Sequence, residues 1–128
     1  MTTLTQPLTN PVSSPAREMI VRVSEAVGAV VVRLEGEARV SEVGRLQMPF
    51  LRLVARRVPL VVLDLTDLTL VSSLALVALV GLRRDLGRFG GRVRIAGARS
   101  AVAEVLESTR LCTLFASYAT IEEAVAAG

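Results

Sequence analysis

Apolar residues along the chain fall into short runs that predict strands. Segments 20–24 and 30–35 are rich in valine and lie on either side of a turn at Gly28, which is typical of a β-hairpin. A continuous run of Leu and Val at 60–65 is typical of a central strand that is covered on both faces. Residues 66–71, which follow it, are expected to form an irregular connection.

Two further strands are predicted in the second half of the chain. Residues 92–96 alternate, with Val93 and Ile95 directed inward, so this strand should lie nearer the edge of the sheet. Residues 111–115 are expected to add a short final strand.

Helices are predicted where apolar residues recur three or four positions apart. A helix with Ser41 as its N-cap should extend over residues 41–57. Pro49 should kink or split this helix, because proline removes one backbone hydrogen bond. Two shorter helices are expected near the C-terminus, at residues 101–108 after Ser100 and at residues 121–127 after Thr120.

A further helix should connect the strands at 60–65 and 92–96. It begins at Ser72 or Ser73 and reaches about residue 89, and its first three turns are apolar on nearly every side, which predicts a buried helix. A strand, a helix and a second strand in this order favour a right-handed parallel crossover. Together the elements predict a single α/β domain with a mixed four- or five-stranded sheet and about four helices packed on it.

Composition also predicts where this domain begins and in which cellular compartment the protein lies. Residues 1–17 contain Thr, Ser, Asn and three prolines, which predicts a flexible N-terminal tail before a domain of residues 18–128. The longest uncharged apolar stretch, residues 68–82, has 15 residues, whereas a membrane-spanning helix needs about 20. No membrane insertion is therefore expected, and the absence of an export signal favours a cytoplasmic location.

The composition excludes most catalytic chemistries. The 128 residues contain no histidine, and all 15 basic residues are arginines. Histidine catalysis, histidine metal ligands and lysine nucleophiles are therefore excluded. Cys112 has no second cysteine to pair with, and we expect it to be a small buried residue. Because the arginines are scattered and the net charge is only +3, nucleic-acid binding is not expected either. A binding or switching module without catalytic residues, metal or cofactor is the favoured class.

A polar cluster follows the predicted central strand, at the carboxyl edge where sites form in open α/β sheets. Its members are Asp64, Thr66, Asp67, Ser72 and Ser73. Two carboxylates are compatible with a magnesium site, but the chain has neither a phosphate-binding glycine loop nor a base to activate a serine. Spacing alone therefore favours a structural interpretation, in which the aspartates hold a turn and a serine caps the helix.

The residues around this cluster resemble the STAS domain family. From Asp64 to Leu76 they are D-L-T-D-L-T-L-V-S-S-L-A-L, and the family signature is a strand, a short connection and Asp-Ser-Ser/Thr-Gly-Leu at the start of a buried helix. Residues 33–37, R-L-E-G-E, are similar to the family's R-L-x-G-E stretch, and Gly-Gly at 90–91 precedes a strand. The resemblance covers residues 18–127 and implies a STAS-like fold.

The resemblance also implies site residues, although the chain departs from the family pattern. Ser73 aligns with the serine that partner kinases phosphorylate, and Ser72, which stands in place of the family's aspartate, is the second candidate. Leu74 replaces the family's second Ser/Thr, and Arg39 replaces an acidic residue. The implied partner-binding residues are Gly36, Glu37, Arg39, Asp67, Thr69, Ser72, Ser73 and Ala75.

By resemblance, the chain is expected to act as an anti-sigma factor antagonist. Such a protein binds an anti-sigma factor, often a serine kinase, and so releases a sigma factor. One alternative is a STAS scaffold in a signalling or transport assembly that is not phosphorylated. Another is a module that binds a small ligand, nucleotide or lipid, and an enzyme is the least favoured class. Self-association is left open.

Overall fold

The computed structural model describes residues 18–127, so the tail predicted at residues 1–17 lies outside the described part of the chain. Its elements follow one another in the order β1 (Ile20–Ala26), β2 (Ala29–Ala38), a first 3-10 helix (Val40–Leu46), α1 (Gln47–Ala55), β3 (Leu60–Asp64), β4 (Leu68–Val71), α2 (Ser73–Gly87), β5 (Arg92–Ala96), α3 (Ser100–Ser108), a second 3-10 helix (Leu111–Thr113), β6 (Ala116–Tyr118) and α4 (Ile121–Ala126).

The strands form one mixed sheet in the order β1-β2-β3-β5-β6, and β4 pairs with the end of β2. Strands β1 and β2 form the predicted antiparallel hairpin, and the other pairs are parallel. The predicted mixed α/β fold is confirmed. The sheet has six strands, because the segment expected to be an irregular connection contains β4.

Helices cover both faces of the sheet. Helices α1, α2 and α3 pack on one face over a large apolar core, and α4 packs on the other face against a smaller one. Strand β3 is consequently covered on both sides, with Val61, Val62 and Leu63 fully buried, as its continuous apolar run predicts.

The segment predicted to form one helix over residues 41–57 forms two separate elements. A 3-10 helix at Val40–Leu46 leads into α1, and Ser41 does not cap either of them. Pro49 is the third residue of α1. The backbone N–H groups of the first helical turn have no intrahelical partner, so proline is tolerated there and the break lies before it.

Helix α2 has one buried face and one exposed face, so the expectation of burial on nearly every side is wrong. Leu79, Leu82 and Leu86 are buried in the core, whereas Leu74 and Val77 are exposed. The helix ends at Gly87, two residues before the predicted end at Phe89.

The last third of the chain differs from the predictions in three places. Strand β5 lies next to the edge strand β6, in agreement with a position nearer the edge, but Arg94 is only 7% exposed and donates to the carbonyl oxygens of Ala124 and Ala127. Residues 111–113 form a 3-10 helix, and the final strand comes after them. Cys112 is exposed, contrary to the expectation of burial.

The last two helices of the chain, α3 and α4, begin differently. Thr120 caps α4 as predicted, since its side chain accepts a hydrogen bond from the Glu123 amide. Ser100 is the first residue of α3 and does not cap it. No helix in residues 18–127 is long and apolar enough to cross a membrane.

Candidate functional site

The end of β2 and the whole of β4 form a narrow parallel ribbon at the carboxyl edge of the sheet. Gly36 pairs with Leu68, and Glu37 pairs with Leu70. The Gly36 amide donates to the carbonyl oxygen of Asp67 at 3.0 Å, and the Thr69 hydroxyl donates to the carbonyl oxygen of Gly36 at 3.0 Å. The ribbon therefore brings together four of the residues that the resemblance implies.

Gly36 is needed for its backbone conformation. Its φ angle of 92° lies in the region that side chains disfavour. A Cβ atom at this position would overlap the carbonyl oxygen of Glu18. Gly36 is buried, so it shapes the edge without forming part of its exposed surface.

Helix α2 begins beside this ribbon, and the two adjacent serines differ in what they do. The Ser72 amide donates to the Ala38 carbonyl oxygen at 2.9 Å, and the Ser72 hydroxyl accepts from the Ala75 amide at 3.2 Å. Ser72 is therefore the N-cap. Ser73 is the first helical residue and is exposed, and its hydroxyl makes no hydrogen bond to any residue in the described part of the chain. The Ser72 hydroxyl is therefore engaged as the helix cap, whereas the Ser73 side chain is exposed to solvent.

Ala75 lies behind the start of the helix. It is 1% exposed and packs in the core. A partner can therefore contact the residues around Ala75 but not its side chain, and Ala75 supports the first turn of α2 from the core.

Arg39 and Glu37 form the charged part of the edge. The Arg39 Nε atom lies 2.6 Å from Glu37 Oε1, and the arginine side chain is about half exposed. Because the Ser72 amide bonds to the residue before Arg39, this ion pair lies beside the start of α2.

Asp64 anchors the loop beneath the edge. Its Oδ1 atom accepts from the Thr66 hydroxyl at 2.6 Å and from the Thr66 amide at 3.1 Å, and its Oδ2 atom accepts from Arg33 Nε at 2.9 Å. Burial acts to raise the pKa of Asp64, but the hydrogen bonds from Thr66 and Arg33 outweigh it and hold that pKa below its ordinary value. Both oxygens are engaged in holding the turn, which supports the structural interpretation over a magnesium site.

Sequence reasoning did not find Arg33 as the partner of Asp64. The two residues face each other across β2 and β3. The pairing depends on the register of two parallel strands that are distant in sequence, and no local pattern reveals it. The hydrogen bond with Asp64 and its negative charge raise the pKa of Arg33 further, so the pair stays ionised.

An apolar groove begins directly after Ser73. It has a volume of about 550 Å³ and runs between α2 and the segment formed by the first 3-10 helix and α1. Its exposed apolar walls are Met48 and Leu51 on one side and Leu74 and Val77 on the other. The sequence did not reveal the groove because the apolar character of α2 indicated burial.

In the part of the chain that the structure describes, acidic residues and cysteine do not converge into a metal site. Within residues 18–127 no group of three or more potential metal-ligating His, Cys, Asp or Glu side chains is present.

The chain belongs to the STAS domain family, whose family model matches residues 19–124. The family resemblance read from residues 33–37 and 64–76 is thereby confirmed. No match was found among curated proteins.

Solved structures of the same fold include anti-sigma factor antagonists. One, from Mycobacterium paratuberculosis, is 25% identical, with a TM-score of 0.79 over 88% of this chain and 95% of that one. The Bacillus cell fate determinant SpoIIAA in its phosphorylated form is 19% identical, with a TM-score of 0.66 over 83% of this chain and 96% of that one. A sulfate transporter family protein from Wolinella succinogenes is 13% identical, with a TM-score of 0.68 over 79% and 84%. The last two likenesses concern the fold alone.

Proposed function

We propose that this chain is an anti-sigma factor antagonist that binds an anti-sigma factor through its carboxyl edge. The docking edge comprises Glu37, Arg39, Asp67, Thr69 and Ser73. The observation that carries the proposal is the exposed hydroxyl of Ser73, which makes no hydrogen bond within residues 18–127 and lies at the first position of α2, beside the β2–β4 ribbon. The likeness to the antagonist from Mycobacterium paratuberculosis supports the same role.

The docking edge has the mixture of surfaces that protein partners use. Arg39, Glu37 and Asp67 supply charges of both signs, and Leu74 continues the edge into the apolar groove. Interfaces commonly combine an apolar centre with a polar rim, and the charges mainly set specificity and the rate of association. Arg39 stands where the family has an acid, so the partner should offer a complementary acidic group.

Phosphorylation of Ser73 is the proposed switch. A phosphate adds a charge of about −1.5 to −2, and the positive end of a helix dipole favours such a charge. The fold should therefore tolerate the modification. The phosphate would also offer Arg39 a second acceptor in competition with Glu37, and its bulk and charge would occupy the docking edge. Both effects disfavour the partner that binds the unmodified protein.

The proposed partner is an anti-sigma factor that is itself a serine kinase. In this proposal the chain acts in the cytoplasm, by binding its partner and not as an enzyme. SpoIIAA, which has the same fold, is known in a phosphorylated form. Ser73 is favoured over Ser72 because the Ser72 hydroxyl already caps the helix.

Phosphorylation mapping tests the proposal. The protein, Ser73→Ala and Ser72→Ala are each incubated with ATP and each kinase-type anti-sigma factor of the source organism, and products are mapped by mass spectrometry. We expect phosphate on Ser73 in the parent and in Ser72→Ala, and none in Ser73→Ala. Phosphate found only at other positions would contradict the switch.

A STAS scaffold that is not phosphorylated is the second candidate function. The observation that favours it is Ser72, which supplies the cap without the carboxylate that the resemblance places before the modified serine. In this case an anti-sigma factor or other partner would bind the docking edge, but ATP would leave Ser73 unchanged.

A further inference from the structure

The apolar groove between α2 and α1 has walls that no described residue covers. Four large apolar side chains on these walls are between 45% and 64% exposed: Met48, Leu51, Leu74 and Val77. Among the described residues that line the groove, only Asp85 is charged. Several large exposed apolar side chains around one groove are typical of a binding surface.

The dimensions of the groove suit an extended segment of chain. The groove follows α2 from Leu74, next to Ser73, to Asp85, so it is about 16 Å long at the rise of an α-helix. An extended chain advances about 3.3 Å per residue. The groove therefore has room for about five residues in extended conformation.

The described part of the chain begins beside this groove. The Met19 amide donates to Glu42 Oε1 at 3.1 Å, and Glu18 Oε1 lies 3.6 Å from a terminal nitrogen of Arg45. Glu42 and Arg45 belong to the first 3-10 helix, which forms part of one wall of the groove. Residues 1–17 are therefore joined to the domain next to that wall.

A second contact shows which end of the groove this is. The Glu18 carbonyl oxygen lies so close to Gly36, in the β2–β4 ribbon, that a Cβ atom on Gly36 would overlap it. The ribbon leads directly into α2, since the Ser72 amide donates to the Ala38 carbonyl oxygen at the end of β2. The chain that precedes Glu18 is therefore joined to the domain at the end of the groove where α2 begins.

Residues 4–15, which precede this point, repeat a four-residue unit three times. The units are L-T-Q-P, L-T-N-P and V-S-S-P, and none of the twelve residues is charged. Proline disfavours a helix and favours extended backbone in the residue before it. In an extended chain, residues four positions apart, such as Leu8 and Val12, point to the same side and lie about 13 Å apart.

We propose that residues 4–15 of this chain bind in the groove as an extended segment. Val12 lies at the end next to Ser73, because the six residues between Glu18 and Val12 span up to about 20 Å. Leu8 lies farther along the groove toward Asp85, since the spacing of about 13 Å between Leu8 and Val12 fits within its length. An uncharged repeat also matches a groove with a single charged side chain in its described lining.

A segment of the same chain has an advantage over a separate molecule. Its attachment at Glu18 gives it an effective concentration on the order of 1 mM. A contact with a Kd of about 1 mM, which is weak between separate molecules, would therefore keep the groove filled about half of the time. A partner that uses Leu74 would have to displace the segment.

Paramagnetic relaxation in the full chain tests this placement. A nitroxide is attached to the Thr9→Cys/Cys112→Ser variant, which has one cysteine because Cys112 is the only cysteine of the chain. The amide signals of Leu51 and Val77 in the groove are compared between the oxidised and the reduced label at low protein concentration. Val125 in α4, on the other face of the sheet, is the distant reference.

Three variants of the labelled chain locate the contact. Leu8→Ser/Val12→Ser removes the two apolar side chains of the segment, and Val77→Asp places a charge on the groove wall. Val27→Asp is the matched control, because Val27 is 96% exposed in the turn between β1 and β2. Circular dichroism and thermal unfolding establish that each variant is folded before it is measured.

We expect the oxidised label to remove most of the intensity of the two groove signals and to leave the Val125 signal unchanged. The segment variant and Val77→Asp should each restore most of the Leu51 intensity, and Val27→Asp should restore none. The proposal is overturned if the groove signals keep their intensity, if Val125 loses as much as they do, or if the two groove-directed variants leave the loss unchanged.

A mixed sample distinguishes the chain's own segment from that of a second copy. Isotope-labelled chain without nitroxide is mixed with an equal amount of nitroxide-bearing chain without isotope. We expect the groove signals to keep their intensity in this mixture. If they lose as much as in the singly labelled chain, the groove holds the segment of a second copy and the proposal is overturned.

Discussion

In the first three turns of α2 both faces are apolar, yet one is buried and the other is exposed. Leu79 is 1% exposed and contacts the core beneath the helix, whereas Val77, two residues earlier, is 64% exposed and lines a groove next to Ser73. Hydropathy shows that a helix is apolar, but only the positions of neighbouring elements show which face they cover. The buried face contributes stability, and the exposed face is available to a partner.

The docking edge also has buried residues that stabilise it and exposed residues that a partner can contact. Asp64, Ser72 and Ala75 hold the loop and the start of the helix from inside, and Ser73 and Arg39 lie outside. Substitutions on the inner side should change folding stability, whereas substitutions on the outer side should change binding.

The largest expected effect is on the buried face of α2. Leu79→Ala should lower the free energy of unfolding by about 2–5 kcal/mol, because it removes a buried side chain and leaves a cavity. Val77→Ala, on the exposed face of the same helix, should change it by no more than about 0.5 kcal/mol. Urea unfolding followed by circular dichroism measures both, and equal losses would refute the division between the faces.

A smaller effect is expected at Asp64. Asp64→Asn should cost about 1.5–3 kcal/mol near neutral pH, because a neutral amide replaces the carboxylate that accepts from Arg33 and Thr66. Asp67→Asn, at the exposed docking edge, is the matched control and should have little effect on stability. The measurement is urea unfolding of both variants beside the parent.

The same carboxylate gives this stability a pH dependence. Since folding lowers the pKa of Asp64, the stabilisation is fully present above the ordinary value of 3.8 and is lost as pH falls through the folded-state pKa. The acid-induced loss of stability should therefore be shallower in Asp64→Asn than in the parent. Parallel acid profiles would show that Asp64 is not the group responsible.

Ser72 and Ser73 should differ in their contribution to the free energy of unfolding by about the contribution of one helix cap. Ser72→Ala should cost about 1 kcal/mol, since the Ala75 amide loses its acceptor. Ser73→Ala should stay within about 0.5 kcal/mol of the parent. Thermal unfolding of the two variants compares them, and a larger loss in Ser73→Ala would reverse the assigned roles.

The parts of the fold that were predictable from sequence depend on local patterns. The valine-rich hairpin, the doubly covered β3 and the capped start of α4 each follow from neighbouring residues. Strand β4 was missed because four residues with two exposed positions form a strand only when the end of β2 lies beside them. The burial of Arg94 was not predicted, because it involves the carbonyl oxygens of Ala124 and Ala127, which come 30 and 33 residues later in the chain.

The candidate site was predictable to a similar extent. Resemblance to a family signature indicated the loop and the serines, and the structure brings Glu37, Asp67, Thr69 and Ser73 to one edge. The ion pair between Arg33 and Asp64 and the groove beside Leu74 depend on strand register and helix packing, which no short segment specifies.

The affinity of the anti-sigma factor for charge variants at the docking edge tests the central claim most directly. Calorimetry would compare the parent with Ser73→Asp and with Ser24→Asp, which places the same charge on the exposed strand β1. Because a negative charge at Ser73 would lie within the interface, Ser73→Asp should bind at least about tenfold more weakly, and Ser24→Asp should bind like the parent. If Ser73→Asp binds as tightly as the parent, Ser73 is not at the interface and the proposed switch is wrong.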